Sequence, residues 1–378
     1  MVESSARACR ILLVAGEASG DLHGGHLVGA FRQLCPTAEV VGVGGAQLGA
    51  AGMEILADVN MLSAVGLVEI AGSIPRHWRV MRLLKQQMAR HRPDLVVLVD
   101  YPGFNLIVAR EAHRRGIPVF FYVAPQVWAW GKGRARRMAG FIDRLAVIFP
   151  FEEAIFNGYG RRFASYVGHP LLDGLVVSCD RAGTRRQHGF DDVQPLLVLM
   201  PGSRRSEVRL LLPVMLRAAE LLSNEGWQVA LVQAPTVPES YLTQVAGGKL
   251  QVPLIRGDTY NLLAAADVGL IASGTATLEA ALLGCPPVIV YRFSWFTYLL
   301  ARLVIGIRSM GLPNVVLGRS AFPELIQRKF KPVQLAQAVR DLAARRGLNR
   351  QLIDELRSKM GVAGASERAA NLMLELLR

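Results

Sequence analysis

Cysteine is scarce: 4 in 378 residues (Cys9, Cys35, Cys179 and Cys285), none spaced as a CxxC pair. That argues against a disulfide framework or a zinc site and suits reduced thiols in a cytoplasmic protein. Long uncharged apolar runs are missing too. A membrane span needs about 20 such residues. The best candidate, Trp295–Ile307, is shorter and carries Arg302, while Leu262–Tyr291 is broken by Asp267, Glu279 and Pro286-Pro287. The N-terminal stretch mixes Arg7 and Arg10 with Glu3 and runs straight into an apolar segment, so no secretory signal is expected. There is no GxxxxGK[ST], which removes a P-loop. Gly42-Val43-Gly44-Gly45 fails as a dinucleotide fingerprint, because Gln47 stands where the last glycine belongs and the motif follows the second strand.

Acidic residues are also in deficit. Asp and Glu total 30 against 43 Lys and Arg, a formal net charge of +13. Such a balance suits a polyanionic partner. No RNP-like aromatic run, zinc-finger spacing or basic tail accompanies it, so nucleic acid is not expected. With 51% hydrophobic residues, an anionic membrane surface fits better.

What is present is an alternation of short apolar runs with longer helical stretches, the pattern of an α/β fold with parallel sheets. The runs are Ile11–Ala15, Val40–Val43, Leu95–Val99, Val119–Val123 and Leu145–Phe149, then Leu196–Met200, Val229–Val232, Val268–Ile271 and Val288–Tyr291. They are continuous rather than alternating, as in strands covered on both faces. Phe104–Arg115 and Val214–Asn224 read as helices, as does the region after Lys331, with Leu335, Val339 and Leu342 on one face. A polar break at Ser178–Pro195 divides the chain into two doubly wound domains, 1–178 and 179 onward. Ligands of such sheets bind beyond the carboxyl ends of the strands, so two such domains facing each other enclose a cleft.

The motifs fall at those strand ends. Ala15-Gly16-Glu17-Ala18-Ser19-Gly20-Asp21 is a strand–turn–helix junction in which Ser19 or Asp21 can cap the helix. Glu17 would repel a phosphate and suits sugar hydroxyls. His23 and His26 share a helix face, but no third ligand stands nearby to make a metal site. Asp100 ends a strand before Tyr101-Pro102-Gly103-Phe104-Asn105. It either caps the next helix or takes a proton from a substrate hydroxyl. Trp128 and Trp130, beside Lys132, Arg134, Arg136 and Arg137, either line a sugar or phosphate site or pack in the core.

In the second half, Gly202-Ser203-Arg204 joins a glycine turn, a hydroxyl and a guanidinium to a helix start, an anion-binding design. Ser273-Gly274-Thr275-Ala276 repeats it, with Glu279 one turn on, placed for ribose hydroxyls. Two such turns point to a nucleotide diphosphate. Leu67–Lys85, containing Leu67, Val68, Ile70, Trp78, Arg79 and Arg82, reads as an interfacial helix on an anionic bilayer or as a buried helix with a basic outer face.

In order and spacing, AGEASGDLHG, GVGG, DYPGFN, YVAPQVWAW, VGHPLLD, MPGSRRSEV, ASGTATLEAALLG and GLPN resemble the lipid-A-disaccharide synthases, glycosyltransferases of GT-B fold, over nearly the whole chain. The resemblance implies two Rossmann-like domains: an acceptor- and membrane-facing one at 1–178 and a UDP-sugar-binding one at 179–348. Helices at 349–378 would return to the first. It implies an inverting transfer from UDP-2,3-diacylglucosamine to 2,3-diacylglucosamine 1-phosphate, giving the β-1,6-linked disaccharide phosphate and UDP. The setting would be the cytoplasmic face of the inner membrane, without cofactor or metal, and a homodimer is left open.

By the same resemblance, Asp100 is the candidate base and Glu17 lies in the acceptor cleft. Ser203, Arg204 and the Ser273–Ala276 turn, beside Gly202, hold the diphosphate. Glu279 binds ribose and Asn314 lies near the nucleotide-sugar. Gly103 stands where some relatives carry a second aspartate, so no role for that acid applies. The rivals are another UDP-GlcNAc-dependent GT-B enzyme, such as a peptidoglycan transferase or a 2-epimerase, and a non-catalytic lipid-binding protein of the membrane surface.

Overall fold

A computed structural model of the chain describes residues 9–62, 67–125, 132–292 and 311–378, with backbone alone at 67–73, 132 and 134. The chain forms two compact units: Met1–Asp173 with Val362–Arg378, and Gly174–Gly361.

The first unit is built on a parallel sheet of order β3-β2-β1-β4-β5-β6-β7. Its strands are β1 (Arg10–Ala15), β2 (Glu39–Gly44), β3 (Glu54–Asp58), β4 (Leu95–Val99), β5 (Val119–Tyr122), β6 (Arg144–Val147) and β7 (Ala164–Tyr166). Central β4 is buried at every residue, as expected for a parallel strand covered on both faces. The helix Leu67–His91 lays Val80, Leu84 and Met88 into this core at fourfold spacing, with Val108 and Ala112 of the helix Pro102–Arg114 in the same cluster.

The second unit repeats the plan with order β10-β9-β8-β11-β12-β13, again parallel. Its strands are β8 (Leu196–Met200), β9 (Gln228–Val232), β10 (Leu254–Ile255), β11 (Val268–Ala272), β12 (Pro287–Tyr291) and β13 (Glu324–Ile326). The amino ends of β8 and β11 are tied by Arg185, a fully buried arginine. It donates to the carbonyls of Ala265 (3.1 Å), Asp191 (2.7 Å) and Gln194 (2.8 Å) and pairs with Asp267 (2.8 Å). The Asp267 carboxylate also accepts from Leu196 N at 2.9 Å. A guanidinium is tolerated there because its charge is paired and its donors are met.

The last helix, Ala365–Leu377, packs on the helix Ala18–Leu34 in the first unit. Its start is fastened by Asp173, whose carboxylate accepts from the backbone N–H groups of Gly364 (2.7 Å), Ala365 (3.2 Å) and Ser366 (3.0 Å) and from Ser366 Oγ (2.9 Å). A carboxylate at a helix start satisfies donors that the helix itself leaves open. Burial works against its ionisation, but the four donors outweigh that and hold its pKa below the ordinary value. The sequence reading set divisions at 178/179 and 348/349; the contacts divide the chain at 173/174 and 361/362. The helix Arg346–Met360 lies against Thr275–Leu282 and Leu312–Leu317, and Arg357 donates to Leu282 O at 2.7 Å. Among the described residues, no helix is long and apolar enough to cross a membrane; Trp295–Ile307 lies outside them.

Candidate active site

In each sheet the strand order reverses once, between β1 and β4 and between β8 and β11. At such a switch point the connections leave in opposite directions and open a crevice beyond the carboxyl ends. Four of the motifs read from the sequence sit there: those at Gly16–Asp21 and Asp100–Asn105 in the first unit, and those at Gly202–Arg204 and Ser273–Glu279 in the second.

In the first unit Ala15 and Val99 are partners in register, so Gly16-Glu17 and Asp100 leave the sheet side by side. Asp100 and Tyr101 both have left-handed backbone, with φ of 50° and 47°. This is uncommon for any residue but glycine and strained for tyrosine. The corner is braced by the Tyr101 ring, whose hydroxyl donates to Leu62 O at 2.7 Å and lies 3.1 Å from His77 Nε2. Gly16 is required beneath it: a Cβ there would meet Tyr101 Cδ1 at 2.2 Å.

Glu17 precedes the helix Ala18–Leu34 without capping it by its side chain. Burial, and then the charge of Glu17, push the Asp100 carboxyl up to about 6, against a smaller opposing bond from the Tyr101 N–H. An acid held there is ionised at neutral pH, yet basic enough to take a proton from a hydroxyl in the transition state.

Asp21 does different work. It is 6% exposed, and its carboxylate accepts from the N–H groups of Gly45 (2.6 Å), Gln47 (3.0 Å) and Leu48 (3.2 Å). The first two glycine motifs of the chain are thereby clipped together, and the cap belongs to the helix Ala46–Ala50. His23 is half-buried, and desolvation first and His26 second push its pKa down to about 4. His169 is driven down to about 3 by burial and then by His23, and its Nδ1 accepts from Leu171 N. Both shifts favour the neutral imidazole, and of the two only His169 is fully buried. Among the described residues no set of three or more His, Cys, Asp or Glu could hold a metal ion.

On the helix Leu67–His91, Trp78 is 74% and Ile74 55% exposed, with Arg76, Arg79 and Arg82 also exposed. A bare indole among cations is the composition of an interfacial face. The side chains of Leu67, Val68 and Ile70 lie outside the described residues. So do Trp128 and Trp130 and the side chains of Lys132 and Arg134; Arg136 and Arg137 are exposed.

In the second unit Met200 pairs with Ile271, which brings the turns after β8 and β11 together. Gly202 has a φ of 109°, and a Cβ there would meet Glu207 Oε2 at 2.3 Å. That carboxylate accepts from Arg204 N at 3.3 Å, and its other oxygen lies 3.5 Å from Arg204 Nη1. The Arg204 side chain remains 46% exposed. Ser203 O accepts from Thr236 Oγ1 at 2.5 Å. Beside it, Ser273 N donates to Val290 O at 2.8 Å, Gly274 precedes the helix Thr275–Leu282, and Thr277 Oγ1 returns to Gly274 O at 2.7 Å. The open N–H groups of such a first turn and a nearby guanidinium make an anion site.

Burial pushes the Glu279 carboxyl up to about 7. Tyr260 stands close enough for that carboxylate, after burial, to help raise its phenol to about 12. Asn314 is 1% exposed. Its amide nitrogen donates to Phe322 O and Glu324 Oε1, and its oxygen accepts from Ala321 N and Phe322 N. All four hydrogen-bonding positions of the amide are thus committed to the loop before β13 and to the first residue of that strand.

Sequence reasoning passed over Tyr101, Asn105, Asp173 and Glu207. Asp173 ends VGHPLLD and Glu207 lies in MPGSRRSEV, so each stood in a motif without a recognisable local partner.

The family model for lipid-A-disaccharide synthetase matches residues 11–372. The lipid-A-disaccharide synthase of Syntrophus aciditrophicus is 44% identical over 97% of this chain and 98% of its own. That of Myxococcus xanthus is 40% identical over 97% of each. Among solved structures, a UDP-GlcNAc 2-epimerase from Neisseria meningitidis bound to UDP-GlcNAc has a TM-score of 0.63 at 14% identity, covering 97% of this chain and 100% of its own. The calicheamicin glycosyltransferase CalG4 has a TM-score of 0.62 at 16% identity, covering 98% of each chain. These two show the shared fold, two Rossmann-like domains of GT-B type. A match along nearly the full length, at such identity, settles the relationship: the chain belongs to the lipid-A-disaccharide synthase family of glycosyltransferases.

Proposed function

We propose that the chain joins UDP-2,3-diacylglucosamine to 2,3-diacylglucosamine 1-phosphate with inversion, at an anionic membrane surface. The observation that carries this reading is the pair of switch points, one presenting a raised carboxylic acid and the other two adjoining glycine turns at helix starts. Asp100 accepts the proton of the acceptor 6-hydroxyl as O6 attacks the anomeric carbon of the donor. The bond from that carbon to the diphosphate oxygen breaks, and UDP leaves with the electron pair. Glu17 stands beside Asp100 to orient acceptor hydroxyls and keeps its proton affinity high.

Arg204, Ser203 and the Ser273–Ala276 turn, with Gly202 shaping the approach, take up the charge gathering on the leaving diphosphate. Glu279 receives the ribose hydroxyls, and Asn314 acts through the loop it braces. Trp78, Arg79 and Arg82, with Leu67, Val68 and Ile70, form the surface by which acylated substrates are reached. The acid belongs to one unit and the turns to the other, so turnover calls for both.

The test is an assay of UDP release from the diacylated donor, with and without the monosaccharide phosphate. Acceptor-dependent UDP release together with a new disaccharide supports the reading. Acceptor-independent epimerisation of the sugar, or tight binding of both lipids without UDP release, would reject it in favour of an epimerase or a lipid carrier.

A further inference from the structure

The corner at Asp100 and Tyr101 raises a question that the chemistry of the two carboxylates leaves unanswered: what holds two successive non-glycine residues in left-handed backbone. Tyr101 is braced from outside, by Leu62 O and His77. From inside, the backbone of the corner is reached by the side chain of Asn105, one turn into the helix Pro102–Arg114 and 0% exposed. Its Nδ2 donates to Asp100 O at 2.7 Å, and lies 3.2 Å from Val99 O and 3.4 Å from Val14 O. Two hydrogens thus serve three carbonyls, one from the end of β1 and two from the end of β4. Its backbone N–H meanwhile donates to Tyr101 O at 3.1 Å.

Apart from these carbonyls the surroundings are apolar. The neighbouring Phe104, Val108 and Ala109 belong to the apolar core, and Asn105 Oδ1 is buried without a hydrogen-bond partner among the described residues. A position selected for stability alone would avoid an unmet buried carbonyl. Strain and an unsatisfied polar atom together are what a functional constraint leaves behind.

We propose that Asn105 is a positioning residue of the reaction: its amide joins the ends of β1 and β4, fixes the left-handed corner, and so sets the aim of the Asp100 carboxylate relative to Glu17. Val14 O, one of the three acceptors, lies in the strand that leads into Gly16 and Glu17. A single side chain therefore indexes both carboxylates. This rests on the reading of Asp100 as the base.

The experiment compares Asn105→Ala, Asn105→Ser and Val108→Ala, a cavity of ordinary kind on the same helix, with Asp100→Asn alongside. The readouts are kcat, KM for the acceptor, UDP affinity, and the acid limb of the kcat–pH profile. The groups acting on Asp100 are Glu17 and Tyr101, the latter bonded to His77, and all remain in these variants. Asn105→Ala is expected to lower kcat on the order of 100-fold, the scale of a displacement of about 1 Å in a reacting group. KM and UDP affinity should stay within about threefold. Relaxation of the corner admits water to Asp100, so the acid limb should move from near 6 toward the ordinary carboxylate range.

Asn105→Ser, which keeps a donor, should recover part of kcat and of the limb. Val108→Ala should leave the limb in place. Should Asn105→Ala fail to fold, the serine variant decides on the same readouts. An unmoved limb, or a loss of kcat no greater than that of Val108→Ala, overturns the proposal. Full activity of Asp100→Asn would instead remove the base assignment on which it rests.

Discussion

Replacing Asp100 by asparagine should abolish turnover and stabilise the protein in the same stroke. The carboxyl sits at about 6 instead of the ordinary 3.8, chiefly through burial and secondly through Glu17. Roughly two pKa units at about 1.4 kcal/mol each amount to about 3 kcal/mol of folding free energy withheld at neutral pH. That figure is a ceiling, because the carboxylate keeps a partial opening to solvent, which screens it. A gain of about 1–3 kcal/mol is the expectation. Asparagine accepts left-handed backbone better than most residues, so the corner should survive.

The pH dependence gives the claim its sign. The folded state binds the proton more tightly than the unfolded chain does. Below about pH 4 both states are protonated and the penalty is absent. It grows as the pH rises toward 6 and is complete above that. Urea unfolding of wild type and Asp100→Asn at pH 4, 5, 6 and 7.5 should therefore show a stability difference that widens from near zero to a plateau. Equal stabilities at pH 7.5, or a difference that shrinks as pH rises, would refute the account of a strained acid. Retention of turnover would refute its use as a base.

The other predictions concern separate parts of the molecule. Arg204→Ala should weaken UDP binding by roughly 10–100-fold, the worth of a charge-assisted bond, measured by calorimetry; unchanged affinity would take Arg204 out of the donor site. Trp78→Ala together with Arg79→Glu and Arg82→Glu should sharply lower sedimentation with anionic vesicles, at about 1 kcal/mol per basic residue near the surface, while leaving UDP affinity intact. Asp173→Ala removes the acceptor for four donors at the start of the last helix, and should cost about 2–4 kcal/mol. Amide exchange in Ala365–Leu377 should rise first, and even protection along the chain would reject that view of the clip.

The sequence disclosed the two sheets strand by strand, except at their rims. The runs from Ile11 to Tyr291 correspond to the nine inner strands, while β3, β7, β10 and β13 went unread. These four are the outer strands of the two sheets. A strand at a rim is covered on fewer sides and needs no continuous apolar run; β3 buries only Ala57, and β13 is partly exposed throughout. Arg185 shows a second limit. In sequence it belongs to a polar break, yet it is fully buried, a burial the sequence hides because its partners Ala265 and Asp267 stand some 80 positions away.

Glu17, Asp100, Arg204 and the Ser273–Ala276 turn stand out in the sequence as candidates because each lies in a turn that follows an inner strand. Asn105 and Asp173 were not, since what they bind is backbone, which carries no signature in the side-chain alphabet. Asn314 shows the converse: a polar residue in a distinctive motif whose amide is fully engaged by the segment Ala321–Glu324.

The clip at Asp173 also bears on how the protein is made. The first unit includes Val362–Arg378, which follow the second unit in sequence, so a ribosome delivers this piece of the first unit only after the whole second unit has been made. Until then the face of Ala18–Leu34 that receives it is left bare, a sticky surface in want of chaperoning during translation.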